Sequence, residues 1–190
     1  MEGAGGRTLH FATTNADKVA EAREHLAPVA DIVQFDYDYV EIQADDLGDI
    51  AAHGAREAFE AGDSGPVIVD DTGLYVRGLN GFPGPYAAFV EDTLGIERVW
   101  ELAADLEDRR AAFRCAIGYA DGEREEVFEA AVQGTLVPPR GDGGFGYDPI
   151  FEHDGRTFAE MDTGEKNAIS HRSRALSKLA EWLADDDGAD

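Results

Sequence analysis

The chain contains a single cysteine, Cys115, so an intramolecular disulfide is excluded. Apolar alternation around it predicts a buried strand thiol rather than a nucleophile. Lysine is nearly as scarce, with Lys18, Lys166 and Lys178 alone, the other 13 of the 16 cations being arginines. Against them stand 40 Asp and Glu residues, a formal charge of -24. Binding to phosphate backbones rests on Lys and Arg releasing counterions, so a surface of this sign disfavours nucleic acid and anionic membranes as partners. No apolar run approaches the roughly 20 residues of a membrane helix. The N-terminus also lacks a basic start followed by an apolar stretch. The expectation is a soluble cytoplasmic protein.

What remains is ordinary. Of the 190 residues, 43% are hydrophobic and 29% charged, which suits one globular domain, or two closely merged lobes, rather than a disordered chain. Its acids are spread through helices and turns instead of forming a block, and so read as a solvated coat. Such self-repulsion is tolerable where molar salt screens charges within roughly 3 Å, and the expectation is adaptation to a cytoplasm of high salt.

Patterning predicts a strand over Arg7 to Thr13 and a helix with Val19, Ala22 and Leu26 on one face. A second strand is predicted over Asp31 to Tyr37, a helix over Leu47 to Ala61, and a short apolar strand over Val67 to Asp71. This order points to an α/β fold with a partly parallel sheet. Gly78 to Tyr86 reads as a loop, and Ala87 to Leu94 and Ile96 to Leu106 as helices. Two alternating segments, Ala111 to Ala120 and Glu125 to Gln133, are joined at Asp121-Gly122, a strong hairpin signal. A helix with Leu176, Leu179, Ala180 and Leu183 on one face closes the chain. Residues 1–183 are expected to form the domain and residues 184–190 a frayed acidic tail.

Four segments could carry chemistry. TTNADK, Thr13 to Lys18, joins a strand to a helix N-terminus, where amide groups and a lysine suit a polyphosphate. It equally fits a helix cap, with Asn15 capping and Lys18 in solvent. Glu41 with Asp70 and Asp71 offers hard oxygen ligands of the kind that hold Mg²⁺, and a carboxylate there could also deprotonate a water. The competing reading of DDTG is an Asp-rich turn. In GGFGYDPIF, Gly143 to Phe151, glycines permit close approach, Phe145 and Tyr147 offer ring faces, and Asp148 could accept from a ring N–H. Alternatively the loop tucks its aromatics into the core. Finally, EKNAISHRSRAL gathers Lys166, His171, Arg172 and Arg174 in a chain that otherwise avoids cations, which implies an anion. Capping of the last helix is the alternative, weakened because positive charge near a helix start opposes the macrodipole.

In this order, ATTNADKVAEA, VEIQADDL, VIVDDTGLYVRGLNGFPGPY, GGFGYDPIF and TFAEMDTGEKNAISHRSRAL resemble the inosine triphosphate pyrophosphatase family over nearly the whole chain. The resemblance implies an elongated two-lobed α/β fold, a mixed sheet flanked by helices with a central nucleotide-binding cleft. It also implies a homodimer that uses Mg²⁺ to split ITP, dITP and XTP into a monophosphate and pyrophosphate. Carried over by motif, Thr13, Thr14, Asn15, Ala16, Asp17 and Lys18 hold the phosphates. Glu41 and Asp71 ligate Mg²⁺, and Asp71 is the base. Thr72 contacts the substrate, Phe145, Gly146, Tyr147 and Asp148 clasp the base, and Lys166, His171 and Arg172 complete the contacts. The chain departs from the family in having Thr14 for a usual glycine, DDTG for DDSG, and Arg56 where a phosphate-facing lysine is common. Arg56 is expected to reach the triphosphate, although Arg and Lys are not equivalent at a point-charge site.

Two other classes fit parts of the pattern. A nucleotide sensor would not need the acids Glu41, Asp70 and Asp71, and a sugar phosphatase would not need the GGFGYD loop. The acidic coat itself generates a prediction. Raising KCl from about 0.1 M to about 2 M should raise both the melting temperature and the activity. Full folding and activity in dilute buffer contradict the salt reading.

Overall fold

The computed structural model describes residues 7–62 and 65–187. Among these residues the elements follow in the order β1 (Arg7–Ala12), α1 (Ala16–Leu26), β2 (Ala30–Phe35), α2 (Leu47–Ala61), β3 (Val67–Val76), β4 (Pro83–Gly84), α3 (Ala87–Leu94), α4 (Ile96–Ala104), β5 (Arg110–Ala120), β6 (Glu125–Leu136), β7 (Phe151–His153), β8 (Arg156–Thr157), α5 (Thr163–Ile169) and α6 (His171–Asp187). The strand order is β2-β1-β3-β5-β6-β7-β8, with β4 on β3. β1 pairs in parallel with β2 and β3, whereas β6, β7 and β8 pair antiparallel, so the sheet is mixed.

The described residues divide into two compact units, those within 7–71, 115–130 and 172–187 forming the first and those within 72–114 and 131–171 the second. In the first, α1 and α6 supply Val19, Ala22, Leu26, Leu176, Leu179 and Leu183 to a core shared with Leu9, Phe11, Ile68 and Ile117. α2 forms because Leu47, Ile50, Ala51, Gly54, Ala55 and Ala58 recur at helical spacing and are all buried. Its first turn is capped by Asp46, which accepts from the Gly48 amide at 2.7 Å. In the second unit the core is aromatic: Phe113 packs on Phe151 and Phe158 at 4.5 and 5.8 Å between centroids.

Several expectations are corrected. β3 does not stop at Asp71. It runs to Val76 because Leu74 and Tyr75 pair with Gly84 and Pro83 after Val67 and Ile68 have paired with β1. DDTG is therefore neither a strand end nor a turn but the middle of a strand. β2 ends at Phe35 rather than Tyr37, where the Tyr37 amide bonds back to Phe35 O at 2.8 Å and bends the chain. α4 stops at Ala104. Residues 184–187 are not a frayed tail but the last turn of α6. Asp186 there binds Arg7 at 2.8 Å and Arg124 at 2.6 Å. The rest of the expected tail, 188–190, and residues 1–6 lie outside the described residues. The hairpin holds: Asp121 accepts from the amides of Glu123 and Arg124, and Gly122 takes φ +89°.

Two predictions follow from packing and charge in the first unit. A Cβ on Gly118 would run into the Ala51 carbonyl of α2, so Gly118→Ala should lower stability by about 1–3 kcal/mol in a denaturant melt. The Asp121 carboxyl loses solvation on burial, yet the Arg124 and Glu123 amides and the Arg124 side chain hold it down to about 2. A depressed carboxyl contributes stability above its unfolded pKa and loses it as pH falls through the folded one. Asp121→Asn should therefore flatten the stability profile between about pH 4 and pH 2, and an unchanged slope refutes the assignment.

Candidate active site

In the first unit, β1 delivers the chain to the TTNADK turn. The Thr13 amide bonds to Phe35 O at 3.1 Å, and Asn15 Oδ1 accepts from the amides of Asp17 and Lys18 at 2.9 and 3.3 Å. Asn15 is thus the cap of α1, but Lys18 is not left in solvent, because its ammonium meets Asp70 Oδ1 at 2.6 Å. Positive φ at non-glycine residues is confined, among the described residues, to Asn80 and Asp154, so Thr14 serves in this turn without it. Thr14, Asn15, Ala16 and Asp17 are exposed and Thr13 half-buried.

Asp70 also receives Arg172, whose Nε lies 2.6 Å from Oδ2, while the other end of that guanidinium meets Glu21 at 3.0 Å. Burial alone would raise the Asp70 pKa. Arg172 and then Lys18 outweigh it, and hold the carboxyl well below the usual carboxylate range. The Cys115 thiol lies 3.5 Å from Oδ2, and burial, then the Asp70 charge, push its pKa up, so it is an inert core thiol as expected. Arg172, expected among the base and phosphate contacts, is paired in the structure with Asp70 and Glu21.

Asp71 is buried and Glu41 exposed on the extended segment after β2. The two act on one group, the Tyr39 hydroxyl. Burial, then Asp71, Asp70, Glu41 and Asp38, drive its pKa upward and keep it a neutral donor. Tyr39 escaped the sequence reading. The available signal was Gly54, a residue without a side chain on the buried face of α2, where a Cβ would lie 2.6 Å from the Tyr39 ring. Among the described residues no three acid, imidazole or thiol groups converge to hold an ion by themselves. Mg²⁺ typically takes one or two carboxylates and fills its shell with water and phosphate oxygen, so Glu41 and Asp71 fit it in donor chemistry. Arg56 makes a bidentate pair with Glu125, both exposed, and that is where its charge is spent.

In the second unit the GGFGYDP loop closes on Asp148. Its Oδ2 accepts from the Phe145 amide at 2.9 Å and from Lys166 Nζ at 2.5 Å. The Lys166 ammonium lies 4.2 Å from the Phe145 ring centroid, a cation–π contact. Gly144, at φ +70°, permits the close approach, since any Cβ would strike the Asp148 carboxylate. Gly146 takes φ +61°. Phe145 is 53% exposed and presents its ring. Tyr147 corrects the expectation: it is buried, with its hydroxyl on Ala87 O at 2.8 Å, and offers no face to a ligand. His171 is likewise buried, stacked on Phe113 at 5.0 Å. Thr72 is half-buried on β3.

The arrangement supplies a lysine fixed beside a carboxylate pair in one unit and an exposed ring with a Lys–Asp pair in the other. A model of the Ham1 family matches residues 9–182. The chain is 46% identical to a dITP/XTP pyrophosphatase of Thermococcus kodakarensis, over 92% of this chain and 96% of that one. It is 40% identical to an inosine triphosphate pyrophosphatase of Pyricularia oryzae, with 94% of each covered. Among solved structures, a HAM1 protein from Coxiella burnetii matches with a TM-score of 0.86 at 33% identity, covering 94% of this chain and 99% of that one. With one pattern running through nearly all of the chain in sequence and in fold, this protein belongs to the Ham1 family.

Proposed function

We propose that the chain is a nucleoside triphosphate pyrophosphohydrolase that removes deaminated purine nucleotides, taking ITP, dITP and XTP to the monophosphate and pyrophosphate. The observation that carries this reading is the placement of lysine. In a chain with a formal charge of -24, two of only three lysines are held at candidate ligand groups, Lys18 on Asp70 and Lys166 on Asp148. An anionic substrate needs such local cations to overcome the field of the whole protein.

On this reading the turn from Thr13 to Lys18 receives the phosphates, with Lys18 as the charge contact. Asp71 accepts the proton of the attacking water. Glu41 and Asp71 would hold Mg²⁺, which when bound neutralises phosphate charge and polarises the anhydride. Phe145 stacks on the purine. A 6-oxopurine shows an acceptor at O6 and a donor at N1, the reverse of adenine. The Lys166 ammonium donates to the first, and the carboxylate of Asp148 accepts from the second. Arg172 acts through Asp70, which it holds, and His171 lies in the core against Phe113. Arg56 belongs to the phosphate contacts only if it leaves Glu125. The lack of any described helix long and apolar enough to cross a membrane is consistent with a cytoplasmic enzyme, and a homodimer completes the reading.

Inosine, xanthosine, adenosine and guanosine triphosphates, each incubated with Mg²⁺, test the proposal. Pyrophosphate should appear from the first two, with kcat/KM for adenosine triphosphate lower by about 100-fold or more. Release of single phosphate, or equal rates on all four, overturns it. Asp71→Asn should lower kcat by about 100-fold or more with an unchanged circular dichroism spectrum, and retained turnover removes Asp71 from the mechanism.

A further inference from the structure

Asp70 sits beside the residue assigned as base, in the middle of β3, yet its carboxylate is already fully engaged. Lys18 takes one oxygen, and Arg172 and the Cys115 thiol take the other. Its side chain has no solvent exposure. A divalent ion would have to displace a cation to reach it. Successive strand side chains leave on opposite faces, so Asp70 and its neighbour Asp71 do not share one role.

We propose that Asp70 is a positioning residue that acts on the reaction through Lys18, holding the ammonium with one N–H left for a substrate phosphate oxygen. An ammonium has three donors. Two are spent on Asp70, on Oδ1 at 2.6 Å and on its backbone carbonyl at 3.1 Å. Among the described residues Lys18 Nζ has no other partner, and its side chain is 23% exposed. Both acceptors belong to one rigid strand residue, so the remaining N–H has a fixed direction, as preorganised charge stabilisation requires. Arg172 keeps the anchor in place. It brings Glu21 with it, so two cations and two acids balance with no ligand bound. Without Asp70 the lysine keeps its charge but loses its aim.

The proposal rests on the pyrophosphatase reading only in its kinetic arm, so the experiment has two. In the first, reductive methylation is followed by mass spectrometry, where three lysines are easily resolved. Asp70→Asn should raise the labelling rate of Lys18 about fivefold or more while Lys166 and Lys178 keep theirs. In the second, kcat/KM for ITP is measured for Asp70→Asn, Lys18→Met and the double variant. Asp70→Asn should lose about tenfold or more beside Lys18 and less than about twofold beside Met, because residues acting as one unit are not additive. Unchanged labelling of Lys18, no loss beside Lys18, or a loss of about twofold or more beside Met overturns the proposal, the last by showing that Asp70 acts directly. If Asp70→Asn does not fold, Asp70→Glu keeps the charge, moves it by a methylene and is read in the same way. Should the unaltered protein leave ITP intact, the pyrophosphatase reading fails and the labelling arm still decides the positioning.

Discussion

A carboxylate buried in the middle of a strand is costly unless cations meet it, and Asp70 of β3 is met by two. Lys18 comes from the first turn of α1 and Arg172 from the first turn of α6, so the ion cluster ties one strand to two helices of the first unit. Arg172 stands where the helix macrodipole disfavours a positive charge. It is stable there because Asp70 and Glu21 outweigh the dipole at hydrogen-bond distance. The same cluster sets the only lysine of the phosphate turn, so stability and chemistry share one group of atoms.

The second unit repeats the physics with different parts. Lys166 is drawn onto a nearly buried Asp148, and a glycine at positive φ lets the loop backbone close on that carboxylate. Phe145 stays exposed, with the ammonium against its ring and its amide on Asp148. Tyr147, two residues on, faces the core instead, where its hydroxyl finds a carbonyl. In each unit a surface dominated by acids keeps one lysine where a fixed carboxylate orients it.

Much of the fold was legible in local pattern. The spacing of Leu47, Ile50, Ala51 and Ala55 marks α2, Asp121-Gly122 marks the hairpin, and the alternation about Cys115 marks a buried thiol, because each signal depends on neighbours within a few residues. Asn15 as a cap was legible for the same reason. β3 was not, since what carries it through DDTG is pairing with β4, formed by residues beyond a Gly- and Pro-rich stretch that reads as loop. Tyr39 was invisible because its setting is made by α2, Asp70 and Asp71 together. Arg56 looked free, but its partner Glu125 lies 69 residues away.

Sequence by itself determined the residue types a polyanion site needs, their order along the chain, and the scarcity of lysine that makes two of them conspicuous. These follow from composition and motif, which do not depend on how the chain folds. Tertiary structure decided the partner each charge takes. It gave Arg172 to Asp70 and Glu21, sent Tyr147 and His171 into the core, and divided two adjacent acids into an engaged Asp70 and an Asp71 beside Tyr39. Partner choice is set by which groups burial brings within hydrogen-bond distance, and long-range contacts of that kind leave no trace in local spacing.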